Sequence, residues 1–218
     1  RDSKTKQPGE TGNRANSSDR FEIYPGDGET NGDYRNATRT IELLKQYANQ
    51  SQPFFMACGF AKPHSPPGAP QKFYDLYDVA RIPFPPDFPV RPTVPPGFPE
   101  LSVVPRNTDL FIGRDGDEAQ AREMKRAYWA SVSFMDSNVA RVLAALDELR
   151  LRESTIIVFL GDHGYHLGEK GRWSKAYSLW DVATRVPLLI AAPGITPARG
   201  AACARTVEVI NLYRTLAD

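Results

Sequence analysis

The chain has 218 residues, with 27 lysines and arginines against 26 aspartates and glutamates and 41% hydrophobic residues. A charge balance this close to neutral gives no argument for a nucleic-acid partner, so any cationic site must be local. The hydrophobic share is enough for a packed core, and no apolar run approaches the ~20 residues that a membrane-spanning helix needs.

Residues 1–35 are polar and rich in Gly, Ser, Asn and Asp, which predicts a loop or partly disordered segment. From Arg35 to Gln50, Ile41, Leu44 and Tyr47 mark the apolar face of a helix. Pro53 to Gly59 then reads as a buried strand. Residues 63–105 are dense in proline, which denies them regular backbone pairing. Phe84, Phe88 and Phe98 interleave with those prolines and favour a loop pinned onto the domain surface over an SH3-type ligand.

Asp117 with Gln120 opens a helix in capping-box fashion. Met124, Tyr128, Met135, Val139, Val142, Leu146 and Leu149 then recur at spacings of three and four, which predicts one long amphipathic helix, bent near Ser131 or Ser133. Asp136 within it reads as a surface carboxylate. Strands are expected at Ser154–Leu160, Val186–Ala192 and Thr206–Ile210, and a helix-like stretch follows from Asn211. Strand, crossover helix and strand imply an α/β fold with a largely parallel sheet flanked by helices. The chain opens at Arg1 and stops within that last stretch, which suggests an internal fragment of a longer protein.

In parallel sheets, ligands collect beyond the carboxyl ends of the strands. His64 follows the first strand, and Asp162 and His163 follow the second, so a parallel arrangement would put them on one rim. Asp162 and His163 offer a carboxylate oxygen and an imidazole nitrogen, both ligands for a divalent cation, and Gly164 would permit the turn that lets them converge. Alone, Asp-His-Gly is an ordinary turn sequence. His163 and His166 are spaced for zinc only on a helix, and the glycines argue against one. His166 therefore reads as structural. His64 could protonate a leaving group, and Lys62 or Lys175 could hold an anion. Three glycosylation sequons, at Asn16, Asn36 and Asn49, would matter only in a eukaryotic secretory setting.

The run GDHGYHLGEKGRWSKAYSLWDVATRVPLLIAAPG at residues 161–194 resembles the sulfatases of the alkaline phosphatase superfamily. Their pattern is S-D-H-G-x-x-L-G-E-H-G-x-W-x-K followed by a V-P-L strand. PFFMACGFAKPHSPPGAPQKFYDLYD at 53–78 is similar to that family's strand and K-P-H motif, and RAYWASVSFMDSNVARVLAALDEL at 126–149 to its next helix. FAKPHSPP and WDVATRVPL are most similar to the iduronate-2-sulfatase-like branch. The match runs from about residue 35 to 216 in order.

The resemblance implies a partial sulfatase catalytic domain over 36–218, with the proline-rich excursion at 63–105. It implies Asp162 and His163 as ligands of a Ca2+ (or Mg2+) ion, Lys175 as the sulfate contact and His64 as the histidine near the leaving oxygen. Lys62 belongs to the same motif and receives no direct role. The resemblance further implies a sulfated carbohydrate substrate of the 2-sulfated uronate type, and a secreted, periplasmic or lysosomal setting. Neither a nucleic-acid nor a membrane partner is expected.

Two departures stand out. Gly161 replaces the usual serine, and Lys170 replaces the usual histidine, which bears on pocket specificity more than on the reaction. The formylglycine nucleophile of sulfatases comes from C/S-x-P-x-R. Cys58 is followed by Gly-Phe-Ala-Lys and Cys203 by Ala-Arg-Thr-Val, so neither fits, and no serine does. The nucleophile is therefore expected upstream or on a companion chain, and these residues alone are expected to be inactive. A phosphate or phosphonate ester hydrolase of the same superfamily and a non-catalytic sugar-binding relic stand as alternative readings.

Overall fold

A computed structural model describes residues 17–195 and 200–217. In chain order they form β1 (Glu22–Tyr24), α1 (Gly32–Tyr47), β2 (Gly68–Pro70), α2 (Gln71–Tyr74), α3 (Glu118–Glu148), β3 (Ile157–Leu160), α4 (Asp181–Thr184), β4 (Leu188–Ala191) and α5 (Leu212–Ala217). The class is mixed α/β.

The long helix α3 is the spine. Asp117 caps it by accepting from Gln120 N at 2.9 Å, which satisfies one of the amide donors left open at a helix start. Ala121, Met124, Ala127, Ala130, Phe134, Ala145 and Leu146 are buried along one stripe. The helix continues through Ser131 and Ser133 without a break. Ser131 Oγ accepts from Gly68 N at 3.3 Å, and Ser133 Oγ lies 2.6 Å from Tyr77 OH, so both hydroxyls tie neighbouring chain to the spine.

Helix α1 packs along α3. Arg141 of α3 lies flat over Tyr34, 3.8 Å from the ring centroid, and donates to Thr38 Oγ1 at 2.7 Å and Tyr34 O at 3.2 Å. Guanidinium stacking combined with hydrogen bonding is a pairing that lysine could not reproduce. Towards the start of α3, Leu110, Phe111, Tyr165 and Trp173 close a second core with Met124, and Phe84 and Phe88 pack onto it. These two rings stack at 4.1 Å, and Phe98 lies against Trp180 at 4.8 Å.

The sheet differs from the expectation. Among the described residues there are two two-stranded sheets. β1 and β2 pair in parallel, and β3 and β4 pair antiparallel. No parallel partner for β3 forms from residues 53–59. From Phe54 to Phe60 half-buried and exposed residues alternate strictly, and Phe54 and Met56 pack in the same cluster as Ile157. The buried strand expected at 53–59 is therefore not formed: an apolar run does not specify a hydrogen-bonding neighbour, and Phe55 is 91% exposed. Thr206–Ile210 forms no strand either; a 3-10 turn covers Val209–Asn211, and its apolar side chains lie at the surface.

Of the segment predicted as loop, residues 1–16 lie outside the described residues. Residues 17–35 are bound to the body: Glu22–Tyr24 is a strand, and Asp19 accepts from Phe111 N at 2.8 Å and Ile112 N at 2.9 Å. No described helix is long and apolar enough to cross a membrane.

Candidate active site

The His64 loop is built from α1. Asp33, buried in the first turn of that helix, accepts from Ala61 N and Lys62 N, each at 2.8 Å. Lys62 turns back along the loop, and Nζ donates to Pro66 O at 2.7 Å and His64 O at 3.2 Å. Burial lowers the Lys62 pKa, against the pull of Glu22 and Asp33. Lys62 therefore braces the backbone of the loop. His64 itself is exposed. Its Nδ1 lies 2.9 Å from Ser65 O. A carbonyl only accepts, so Nδ1 carries the proton and Nε2 presents a lone pair.

That lone pair meets Lys175. Nζ of Lys175 lies 3.0 Å from His64 Nε2, across 111 positions of sequence. Lys175 is held by the buried run before it. The Arg172 guanidinium donates to Val104 O, Arg106 O, Ser174 Oγ and Ala176 O at 2.8–3.1 Å. Burial lowers its pKa too. Trp173 is buried against Phe111 at 4.9 Å, and its N donates to Asn107 Oδ1 at 2.8 Å.

Asp162 and His163 leave β3 together. The Asp162 carboxylate is almost fully exposed and lies 3.8 Å from His163 Nε2. His163 Nδ1 sits 2.7 Å from Gly164 O, so Nδ1 donates there and, in the neutral ring, Nε2 is the nitrogen whose lone pair can ligate. Gly164 is required for space. A Cβ there would meet Val182 O at 2.1 Å, where Gly164 N donates to Ala183 O at 2.9 Å. The expected glycine turn is therefore a close approach of the loop to α4.

One buried carboxylate joins the two halves. Asp109 Oδ2 accepts from Tyr165 OH at 2.7 Å, and Oδ1 accepts from Ser65 Oγ. Its carbonyl accepts from Ser18 Oγ at 2.9 Å. Tyr128, whose ring lies 5.4 Å from that of Tyr165, is pushed up to about 12 by burial first and then by Asp109 and Asp162. Tyr165 is held well above its ordinary value, again by burial and then Asp109. Both phenols stay protonated, as Tyr165 must be to donate to Asp109. Asp109, Tyr165 and Tyr128 carry no motif signal and were not anticipated.

The structure thus brings His64 to Lys175 and Asp162 to His163, and links the pairs through Ser65, Asp109 and Tyr165. Asp136 is exposed on α3, and His166 is fully buried with Nε2 2.8 Å from Ser178 Oγ. Lys170 faces away from a ligand role, with Nζ 2.8 Å from Asp87 Oδ2 and 4.2 Å from the Trp180 ring. It pins the proline-rich strap. Asp162 and His163 suit a divalent cation as two ligands, but calcium takes ~6–8 oxygens. Among the described residues no group of three His, Cys, Asp or Glu is placed to hold a metal.

The sulfatase family model matches residues 4–218. Iduronate 2-sulfatase of Mus musculus is 40% identical over 183 residues, covering 77% of this chain and 32% of that protein. The yidJ protein of Bacteroides fragilis superposes with a TM-score of 0.57 at 26% identity, covering 74% of this chain and 31% of its own. A phosphonate monoester hydrolase of Silicibacter pomeroyi gives 0.61 at 23% identity, covering 78% and 34%, a likeness of fold alone. The chain spans about a third of the length of the relatives it matches. A family model matched along nearly the whole chain, with a relative 40% identical over 77% of it, places the chain in the sulfatase family.

Proposed function

We propose that these residues form part of the active site of a sulfate-ester hydrolase acting on sulfated sugars, of the 2-sulfated uronate type. The observation that carries this reading is the contact between Lys175 Nζ and His64 Nε2 at 3.0 Å. An ammonium and an imidazole in contact at an exposed rim can divide the work on a sulfate ester. Lys175 holds a non-bridging oxygen as a point charge. An anion there draws the ammonium off His64, and Nε2, once protonated, gives its proton to the departing sugar oxygen. The 40% identity to iduronate 2-sulfatase supports the sugar class.

Asp162 and His163 would hold a Ca2+ or Mg2+ ion, which would offset charge on the sulfate as a Lewis acid. The nucleophile, a formylglycine from a C/S-x-P-x-R segment, would come from outside these residues, on the same polypeptide or a companion chain. The reading goes with a secreted, periplasmic or lysosomal setting.

The test is turnover of an aryl sulfate and an aryl phosphonate by this chain, alone and joined to a segment supplying the nucleophile. The expected result is no turnover alone and sulfate-selective turnover when joined. Lys175→Ala and His64→Ala should each lower the joined activity by roughly 100-fold or more. Preference for the phosphonate would favour the phospho-hydrolase reading, and hydrolysis of neither would favour a non-catalytic sugar-binding relic. Sulfate turnover by the chain alone would refute the external nucleophile.

A further inference from the structure

Asp109 is 4% exposed, and both carboxylate oxygens are taken by hydroxyl donors, with no cation among these contacts. A buried carboxylate without a countercharge is costly, and an apolar residue would avoid that cost. The two donors belong to different loops, one residue from His64 and three from Asp162. They lie 44 and 56 positions from Asp109 in sequence. Tyr165 OH also lies 3.0 Å from Trp173 O, two residues before Lys175, so its one proton is shared between the carboxylate and that carbonyl. The carboxylate therefore holds Ser65 beside His64 and Tyr165 near Asp162, reaches the Lys175 segment only through Tyr165, and has no hydrogen bond to any of those three side chains itself.

We propose that Asp109 is a positioning residue: its buried carboxylate pins the His64 loop and the Asp162–Lys175 loop to each other, and so sets the distance between His64 and Lys175. This rests on the reading of that pair as the anion-handling groups. A carboxylate suits the task because each oxygen accepts without donating, so Ser65 and Tyr165 can both point their protons inward. Asparagine offers one such oxygen, so one of the two hydroxyls must turn its proton away and accept from the amide, which weakens the link between the loops.

The test uses the imidazole nitrogen and proton signals of the 218-residue chain, which has only three histidines. Tyr165→Phe is expected to shift the His64 signals, although the two residues lie on separate loops. Ser65→Ala is expected to shift them as well, and after Ser65→Ala the further change Tyr165→Phe should add nothing at His64. In Asp109→Asn the effect of Tyr165→Phe on His64 should shrink or vanish.

A Tyr165→Phe change that leaves His64 unmoved would overturn the proposal. So would effects of Ser65→Ala and Tyr165→Phe that simply add, or that persist undiminished in Asp109→Asn. If Asp109→Asn does not fold, the Ser65 and Tyr165 pair decides the matter alone. Adding sodium sulfate to the same samples separates the two claims. A wild-type His64 signal indifferent to sulfate would sink the anion reading and leave the coupling between loops standing or falling on its own data.

Discussion

The loops around Lys175 and the β3–β4 sheet differ in how they are held. In the loops, Arg172 and Trp173 are about 1% exposed, and the guanidinium has four acceptors within the chain. In the sheet, Leu189 is 59% and Ile190 40% exposed, and Ile157 is tied to the spine mainly through its cluster with Leu146. The candidate site thus rests on buried polar groups such as Arg172 and Asn107 that are hydrogen-bonded within the chain, whereas the sheet leaves apolar surface in water. Order at the site comes from α3 and the loops packed on it, and the sheet mainly supplies the end from which Asp162 departs.

The comparison can be broken by substitution. Trp173→Ala is expected to cost about 3–5 kcal/mol in denaturant unfolding, as truncation of a large buried aromatic does. Leu189→Ser and Ile190→Ser should fall within about 0.5 kcal/mol of the parent. Equal costs in the two regions would show that the sheet carries load that its exposure hides.

The pH response should sharpen the same contrast. Burial first, then the charges of Arg172 and Lys170, push the His166 imidazole from 6.5 down to about 4. The folded chain therefore favours the neutral ring, while the unfolded chain takes up a proton near 6.5. Stability from this group is fully present above pH 6.5 and is lost as pH falls towards 4, by up to about 3 kcal/mol. Denaturation midpoints measured from pH 7.5 to 4 should fall steeply for the parent and less so for His166→Gln.

A smaller effect is expected at Gly164. Alanine there would drive its Cβ into Val182 O, 2.1 Å away, so α4 must shift, at a cost of about 1–3 kcal/mol. The His163 signals should move with it while those of His64 hold. An unchanged melting midpoint and unmoved His163 would mean that the loop has room that its geometry does not show.

Some of this was legible in the sequence. The stripe from Met124 to Leu146 is a three- and four-residue repeat, and periodicity reports directly on which helix face is buried. The K-P-H and D-H-G motifs located both loops because each motif is contiguous. The sheet was less legible. The apolar run at 53–59 suggested a buried strand, but pairing depends on a neighbour that the local pattern does not encode. Thr206–Ile210 has strand-like residues without the burial that makes such residues pair. Asp109 was invisible because its partners are 44 and 56 positions away. Lys170, read as a change in the pocket, proved to be a clamp on the strap through Asp87 and Trp180.

The most direct test of the anion site is a sulfate titration of the chain, followed by the His64 imidazole signals. A saturable shift is predicted in the parent, absent in Lys175→Ala and matched by no comparable shift at buried His166. A parent that does not respond, or a Lys175→Ala variant that responds as the parent does, would contradict the assignment.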